Sequence, residues 1–317
     1  MSTSGAGNED DLEEMIEIAE RHYLQRHSKL EIAAALGLSR FRVARLLQKA
    51  IDDGVVRITV ASPRERRHDL VDQLRARYDL EHVVLIDMQS LGREERLREA
   101  LGRAAAQLLS RILTDEDVLG MGWGRSIHAT ASAMTSLPPV PIVQLGGMAG
   151  TARSNSMEPV RMLSDLGTGP TYPLYGPLIL PDAQTAAGLR RQPDIAATIE
   201  MFDRVTVGVV AVGSWNPPNS QLLAAFSSDE QRRLAAGGVA AEVCGVLLDH
   251  TGRPLFPDVS ERMLAIDGQR LQQIRTTIAV AGGLTKAAAV HSVLLGRYAT
   301  SLVSDLTLAR ELVSRHP

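Results

Sequence analysis

The sequence predicts an α/β protein in which a winged helix-turn-helix head precedes a Rossmann-like, mostly parallel α/β domain. Three observations carry this. Residues 29–54 read as two helices joined by a tight turn, apolar strand-like runs further on alternate with helical stretches, and a concentrated basic charge sits in the head. At 317 residues and 44% hydrophobic content the chain has material for about two domains. They are expected at residues 1–61 and 62–317.

The opening MSTSGAGNED is small and polar and is expected to be disordered. From Asp11, residues Leu12, Ile16, Ala19 and Tyr23 step by four, three and four, which draws one helical face. Ser28 can cap a second helix while Glu31 reaches back to the cap's own N–H, and Ile32, Ala33 and Leu36 form its apolar side. Gly37 supplies the permissive backbone of a sharp turn, and Ser39 can cap a third helix. On that helix Val43, Leu46, Leu47 and Ala50 should face a core, leaving Arg40, Phe41, Arg42, Ala44, Arg45 and Lys49 outside. Gly54 stops it, and VVRITV follows as a strand-like wing.

Charge gives this head a direction. Residues 1–20 hold seven acidic side chains and no basic one, whereas residues 21–57 hold eight basic against three acidic, a net +5. A positive helix after a tight turn suits a DNA major groove, where arginine can pair with guanine edges or phosphates. The candidate contacts are Ser39, Arg40, Phe41, Arg42, Arg45, Lys49 and Arg57; the alternative is a plain helical hairpin with a solvated basic face. The whole chain carries −3, so most of it is not built to coat nucleic acid. A lone cysteine, Cys244, excludes an intramolecular disulfide, and no Cys/His spacing suggests a zinc site. No apolar run approaches the ~20 residues of a membrane span, and the acidic N-terminus lacks signal-peptide features. A soluble protein of the reducing cytoplasm is expected, with no metal, cofactor or membrane partner.

Beyond Pro63 the elements follow in order. Leu70, Leu74 and Tyr78 mark an amphipathic helix, HVVLIDM a buried strand, and residues 93–113 a long helix with Leu97, Leu101, Ala105, Leu108 and Ile112 inward. Next come strand DVLGMGW, helix RSIHATASAM, strand PIVQLGG, a helix near 159–165 and a proline-rich strand TYPLYGPLIL. A helix near 195–202 leads to strand VTVGVVAV. RMLAID, TTIAVAGG and ATSLVSD are also strand-like, with LTKAAAVHSVLLG and DLTLARELVSR as helices. VLLDHTGRPLF is the exception, a hairpin expected near a sheet edge.

In such sheets ligands bind beyond the carboxyl ends of strands. Three loops there are glycine-rich. In GMGWGRS, Gly122, Trp123 and Gly124 lead to Arg125 and Ser126 at a helix start, where backbone N–H groups can hold an anion. GGMAGT, beginning at Gly146 and Gly147, is of the same type. In AGGLTK, Gly282 and Gly283 precede Lys286, a cation unfavourably close to a helix N-terminus unless an anion is shared. Trp123 and Trp215 can stack on a sugar face or simply pack. Glu242, between small and apolar residues, would suit bound hydroxyls, while Cys244 reads as a buried small hydrophobe.

Taken together and in order, IAAALGLSRFRVARLLQKAIDDGVV, GMGWGRSI, QLGG, VAVGS, GVAAEVCGVLLDHTGRP, IAVAGGLTKAAAV and LVSDLTLAREL resemble the SorC family of sugar-responsive bacterial transcriptional regulators over nearly the whole chain. The resemblance implies a winged helix-turn-helix joined to an effector domain similar to ribose-5-phosphate isomerase and glucosamine-6-phosphate deaminase. It further implies operator DNA, a sugar, sugar-phosphate or polyol effector, and homodimers or homotetramers, commonly with repression relieved by ligand. By position, Gly124, Arg125 and Ser126 would line the sugar pocket, and Gly282, Gly283 and Lys286 would hold a phosphate or terminal hydroxyl. Glu242 stands where relatives often have Asp, and Leu284 where a polar residue is frequent, which leaves a polyol or a different sugar open. The rival is an isomerase or deaminase bearing a DNA-binding head. Such enzymes need a carboxylate at a central strand end. Val212 to Trp215 supplies none, so no catalytic residue is assigned.

Overall fold

A computed structural model of the chain describes residues 6–56, 63–87, 94–148 and 157–315. The chain divides into two compact units, Met1–Arg64 and Glu65–Pro317.

The first unit is helical. Helix α1 (Ala6–Ala19) runs into a π-helical turn, Glu20–Leu24, and is followed by α2 (Lys29–Leu36) and α3 (Arg40–Asp52). The capping box forms as its residues dictate: the Ser28 hydroxyl accepts from Glu31 N, and Ser28 N donates to Glu31 Oε2 at 2.8 Å. Gly37 takes the left-handed conformation, φ 66°, and the Ser39 hydroxyl accepts from Arg42 N. Val43, Leu46, Leu47 and Ala50 are buried with Ile32 and Ala33. Two expectations are corrected. Residues 6–10 are helical, not disordered. The buried side of α1 is Met15, Ile18 and Ala19, while Leu12, Ile16 and Tyr23 are exposed. Two apolar rows compete on this helix, and the row that meets α3 is the one buried. The wing beyond Val56, with Arg57, lies outside the described residues.

The second unit alternates as expected. Its elements are α4 (Pro63–Tyr78), which begins two residues before the unit's boundary, β1 (His82–Ile86), α5 (Glu94–Ile112), β2 (Leu119–Met121), α6 (Arg125–Ala133), β3 (Ile142–Gln144), α7 (Glu158–Ser164) and β4 (Thr171–Tyr172). Then follow α8 (Ala183–Arg190), α9 (Pro193–Glu200), β5 (Val207–Ala211), β6 (Gly213–Ser214), α10 (Ser228–Ala236), β7 (Ala241–Val243) and β8 (Val246–Leu248). The chain closes with α11 (Pro257–Glu261), α12 (Gly268–Gln273), β9 (Thr276–Val280), α13 (Ala287–Leu295), β10 (Ser301–Asp305) and α14 (Leu306–Ser314).

Seven strands form one parallel sheet in the order β1-β10-β9-β5-β2-β3-β4. Buried strands alternate between two cores. Val207, Val209, Ile278 and Val280 join Leu101, Leu108 and Ile127 on one side. Val210, Val212, Ala279 and Ala281 join Val290, Val293 and Leu308 on the other. Both faces are therefore covered, which is why the strands read as apolar runs.

Three departures are physical. TYPLYGPLIL pairs as a strand only at Thr171–Tyr172, since Pro173 and Pro177 have no N–H for a ladder. RMLAID makes only isolated bridges, Gly146 with Ala265 and Ile179 with Met263. The VLLDHTGRPLF hairpin forms, Asp249 N donating to Arg253 O and Leu248 bridging Pro254, but its β8 edges a separate antiparallel sheet, β6-β7-β8, and not the seven-stranded one.

Candidate effector site

Strand β2 stands where the winding reverses: β3 and β4 extend the sheet to one side of it, β5, β9 and β10 to the other. At such a switch point the loops after adjacent strands part and leave a crevice. The cavity found there is lined by Trp123–Ser126 after β2, Ala211–Gly213 after β5, and Gly282, Gly283, Thr285 and Lys286 after β9. Glu242 on β7, Cys244 in the turn after it, and Asn219–Gln221 also line it. Glu94, Leu97, Arg98 and Leu101, from the first turns of α5, complete the lining.

Lys286 ends a short 3₁₀ turn before α13, and its Nζ donates to the Val212 carbonyl at 2.6 Å. That carbonyl partly answers the unfavourable position beside a helix start. Burial pulls the ammonium down to about 8; Arg125 and Arg98 add to the pull and Glu242 opposes it. The loop is fixed by Asp305, whose Oδ2 accepts from Gly283 N at 2.6 Å while Oδ1 accepts from Thr307 and Leu308 N. Gly283 has φ 88°, a conformation that excludes most side chains.

Glu242 is 5% exposed, and burial raises its carboxyl above the ordinary range. The Ser220 hydroxyl donates to Oε1 at 3.0 Å and Gly245 N approaches Oε2 at 3.4 Å. Register explains how it fits: Glu242 pairs with Gly213 across the small sheet, and a Cβ at 213 would fall 2.3 Å from Oε1. A carboxyl thus sits beside the strand end that carries none in sequence. Arg125 donates to Asn219 Oδ1 at 2.6 Å, and Arg98 pairs with Glu94 at 3.3 Å. Burial, reinforced by Glu242, pushes the Cys244 thiol up, so it stays protonated and lacks nucleophilic character.

Of the expected effector residues, the cavity brings together Trp123, Gly124, Arg125, Ser126, Glu242, Gly282, Gly283 and Lys286. Gly122, Gly146 and Gly147 lie outside its lining. Gly122 packs on the β5 backbone, with Val209 O 3.1 Å from where a Cβ would be. At Gly146 a Cβ would fall 2.3 Å from the Trp123 ring, and Gly147 N donates to Leu264 O at 2.7 Å. These last two are packing glycines. The remainder of that loop, residues 149–156, lies outside the described residues. Trp215 packs on Phe226, ring centroids 6.3 Å apart, away from the lining. Sequence reasoning misses Arg98, Asn219 and Ser220; their signal is nothing more than polar residues on a helix turn and in a Pro/Asn/Ser loop.

In the first unit, Ser39, Arg40, Phe41, Arg42, Arg45 and Lys49 are all exposed along α3. Ser39 spends its hydroxyl on the cap, and Arg42 is bonded to Glu14 at 2.7 Å. Among the described residues no helix is long and apolar enough to cross a membrane, and no His/Cys/Asp/Glu group is set to hold a metal ion.

A capped helix-turn-helix in one unit and a doubly wound sheet with a switch-point cavity in the other define a protein class that joins a helix-turn-helix unit to a domain with a small-molecule-sized pocket. The family model "Putative sugar-binding domain" matches residues 62–314, and the chain belongs to that family. It is 29% identical to the transcriptional regulator YjhU of Escherichia coli (strain K12), with 92% of each chain covered. It is 28% identical to the deoxyribonucleoside regulator of Bacillus subtilis (strain 168), covering 94% of this chain and 96% of that one. In fold it is similar to the full-length sorbitol operon regulator SorC of Klebsiella pneumoniae, TM-score 0.79, 24% identical, covering 96% of this chain and all of that one. The SorC-type resemblance in the sequence agrees with these.

Proposed function

We propose that the chain is a DNA-binding transcriptional regulator of carbohydrate or polyol genes, whose grip on operator DNA is modulated by a sugar, sugar-phosphate or polyol in the switch-point cavity. In this reading residues 1–61 form the reader and residues 62–317 the effector domain. The observation that carries it is the convergence of Arg98, Arg125 and Lys286 with the buried Glu242 around one cavity, in a chain whose α3 is exposed and basic. The cations suit a phosphate or other anionic group. Glu242, Ser220 and Asn219 suit hydroxyls. The relatives' names, a deoxyribonucleoside regulator and a sorbitol operon regulator, support this class of ligand.

Effector binding would shift the equilibrium between arrangements of a homodimer or homotetramer, changing how paired readers match operator half-sites. The setting is the cytoplasm. A thermal-shift screen against sugars, sugar phosphates and polyols, followed by DNA-binding titrations with and without each hit, tests the reading. A ligand that stabilises the chain and changes its DNA affinity is expected; hits that leave DNA affinity untouched would sink the coupling.

A further inference from the structure

Helix α3 holds an aromatic ring in solvent where its own unit has no use for one. Phe41 is 88% exposed. The core beneath is complete without it, built from Val43, Leu46, Leu47 and Ala50 against Met15, Ile18 and Ile32. On the helical repeat, Phe41 shares a face with Ala44, Arg45 and Gln48, three, four and seven residues on. Arg45 and Gln48 are exposed and Ala44 is half-buried. Arg40 and Lys49 flank this face, both exposed.

Such a surface offers an apolar ring, hydrogen-bond donors and positive charge within two helical turns. A second copy of the same face would bring arginine against arginine, which argues against self-association here. A lipid surface would ask for a broader apolar stripe than one ring and one methyl. A polyanion that displays an isolated apolar group fits all three features, and duplex DNA does so in its major groove: phosphates on the rims, and the 5-methyl of thymine among the base edges. Arg42, the neighbouring cation, is drawn toward α1 by Glu14, which leaves the groove-facing role to the face that holds Phe41 and Arg45.

We propose that Phe41 is a specificity-determining residue that reads the 5-methyl group of a thymine in the major groove. This rests on the DNA-binding reading above and adds the identity of one contacted base.

The test uses the full chain and duplexes selected by it from a random-sequence library, with each thymine then replaced singly by deoxyuridine, which removes only the methyl. Wild type should lose about fourfold in affinity at one thymine position, the factor expected for one buried methyl-sized group. Phe41→Ala should bind the thymine and deoxyuridine duplexes equally, and Phe41→Leu should keep part of the discrimination. Arg45→Ala should weaken both duplexes alike. Wild type tolerating every replacement, Phe41→Ala remaining as sensitive as wild type, or an enriched sequence without thymine would each overturn the assignment while leaving DNA binding in place. Failure to enrich any sequence would instead remove the DNA-binding reading and the assignment with it.

Discussion

Lys286 Nζ donates to the Val212 carbonyl at 2.6 Å, a single bond that ties the loop after β9 to the end of its neighbour β5, beside the switch point. Two further protons of the charged amine remain for a ligand. The group that would hold the ligand thus also joins two walls of its pocket.

Lys286→Ala is expected to abolish the thermal shift produced by a phosphorylated sugar while leaving operator affinity unchanged. An unaltered ligand response would dismiss the anion-site reading. With its folded pKa near 8, below 10.5 when unfolded, Lys286 is charged in the folded chain only at lower pH. Calorimetric affinity for an anionic effector should therefore fall as pH rises through about 8. Between these values the unfolded chain holds more protons, so the contribution of Lys286 to stability rises with pH.

Glu242 titrates with the opposite sign. Its carboxyl is raised by burial, so above the unfolded value of 4.5 folding takes up a proton and its contribution to stability falls as pH rises. Glu242→Gln should gain on wild type in urea midpoint as pH rises from 4.5 toward neutrality. A constant difference would contradict the burial argument.

Gly213→Ala places a methyl 2.3 Å from Glu242 Oε1. Because β6 and β7 are paired at this point, the carboxyl or the ladder must yield. A loss of about 1–3 kcal/mol in chemical denaturation is expected, together with weakened effector binding.

In the head, Ser39→Ala removes the acceptor for Arg42 N and should cost about 1 kcal/mol of that unit's stability. Arg45→Ala should weaken operator binding by ~1–3 kcal/mol, and Arg42→Ala by less. Arg42 must trade its contact with Glu14 for any contact with DNA. Equal losses in mobility-shift titrations would argue against that trade.

Ribose 5-phosphate and glucosamine 6-phosphate are expected to come back unchanged after incubation with the chain. Turnover seen by NMR would reopen the enzymatic reading, for which the Glu242 carboxyl beside Gly213 is the group to substitute first.

Legibility followed the range of the forces involved. Ser28 with Glu31, Gly37 and Ser39 act within four residues of themselves, so the turn between α2 and α3 could be placed from local chemistry alone. Apolar runs wide enough to be buried on both faces announced β5, β9 and β10, and with them the loops at Gly124–Ser126 and Gly282–Lys286. Which apolar row of α1 turns inward is another matter, since Leu12 and Ile16 are as hydrophobic as Met15 and Ile18. Only contact with the neighbouring helices chooses between them.

The same holds at the cavity. Gly146 and Gly147 look like Gly282 and Gly283 in sequence, yet one pair makes room for Trp123 and for backbone, while the other opens on the pocket. Arg98 comes from α5, and Ser220 from a loop that folds back to Glu242 across the small sheet. Sheet order and register bring these groups together over separations far longer than any helical or strand period. Local pattern therefore carries the elements and the kind of chemistry, and long-range packing decides which residues face one another.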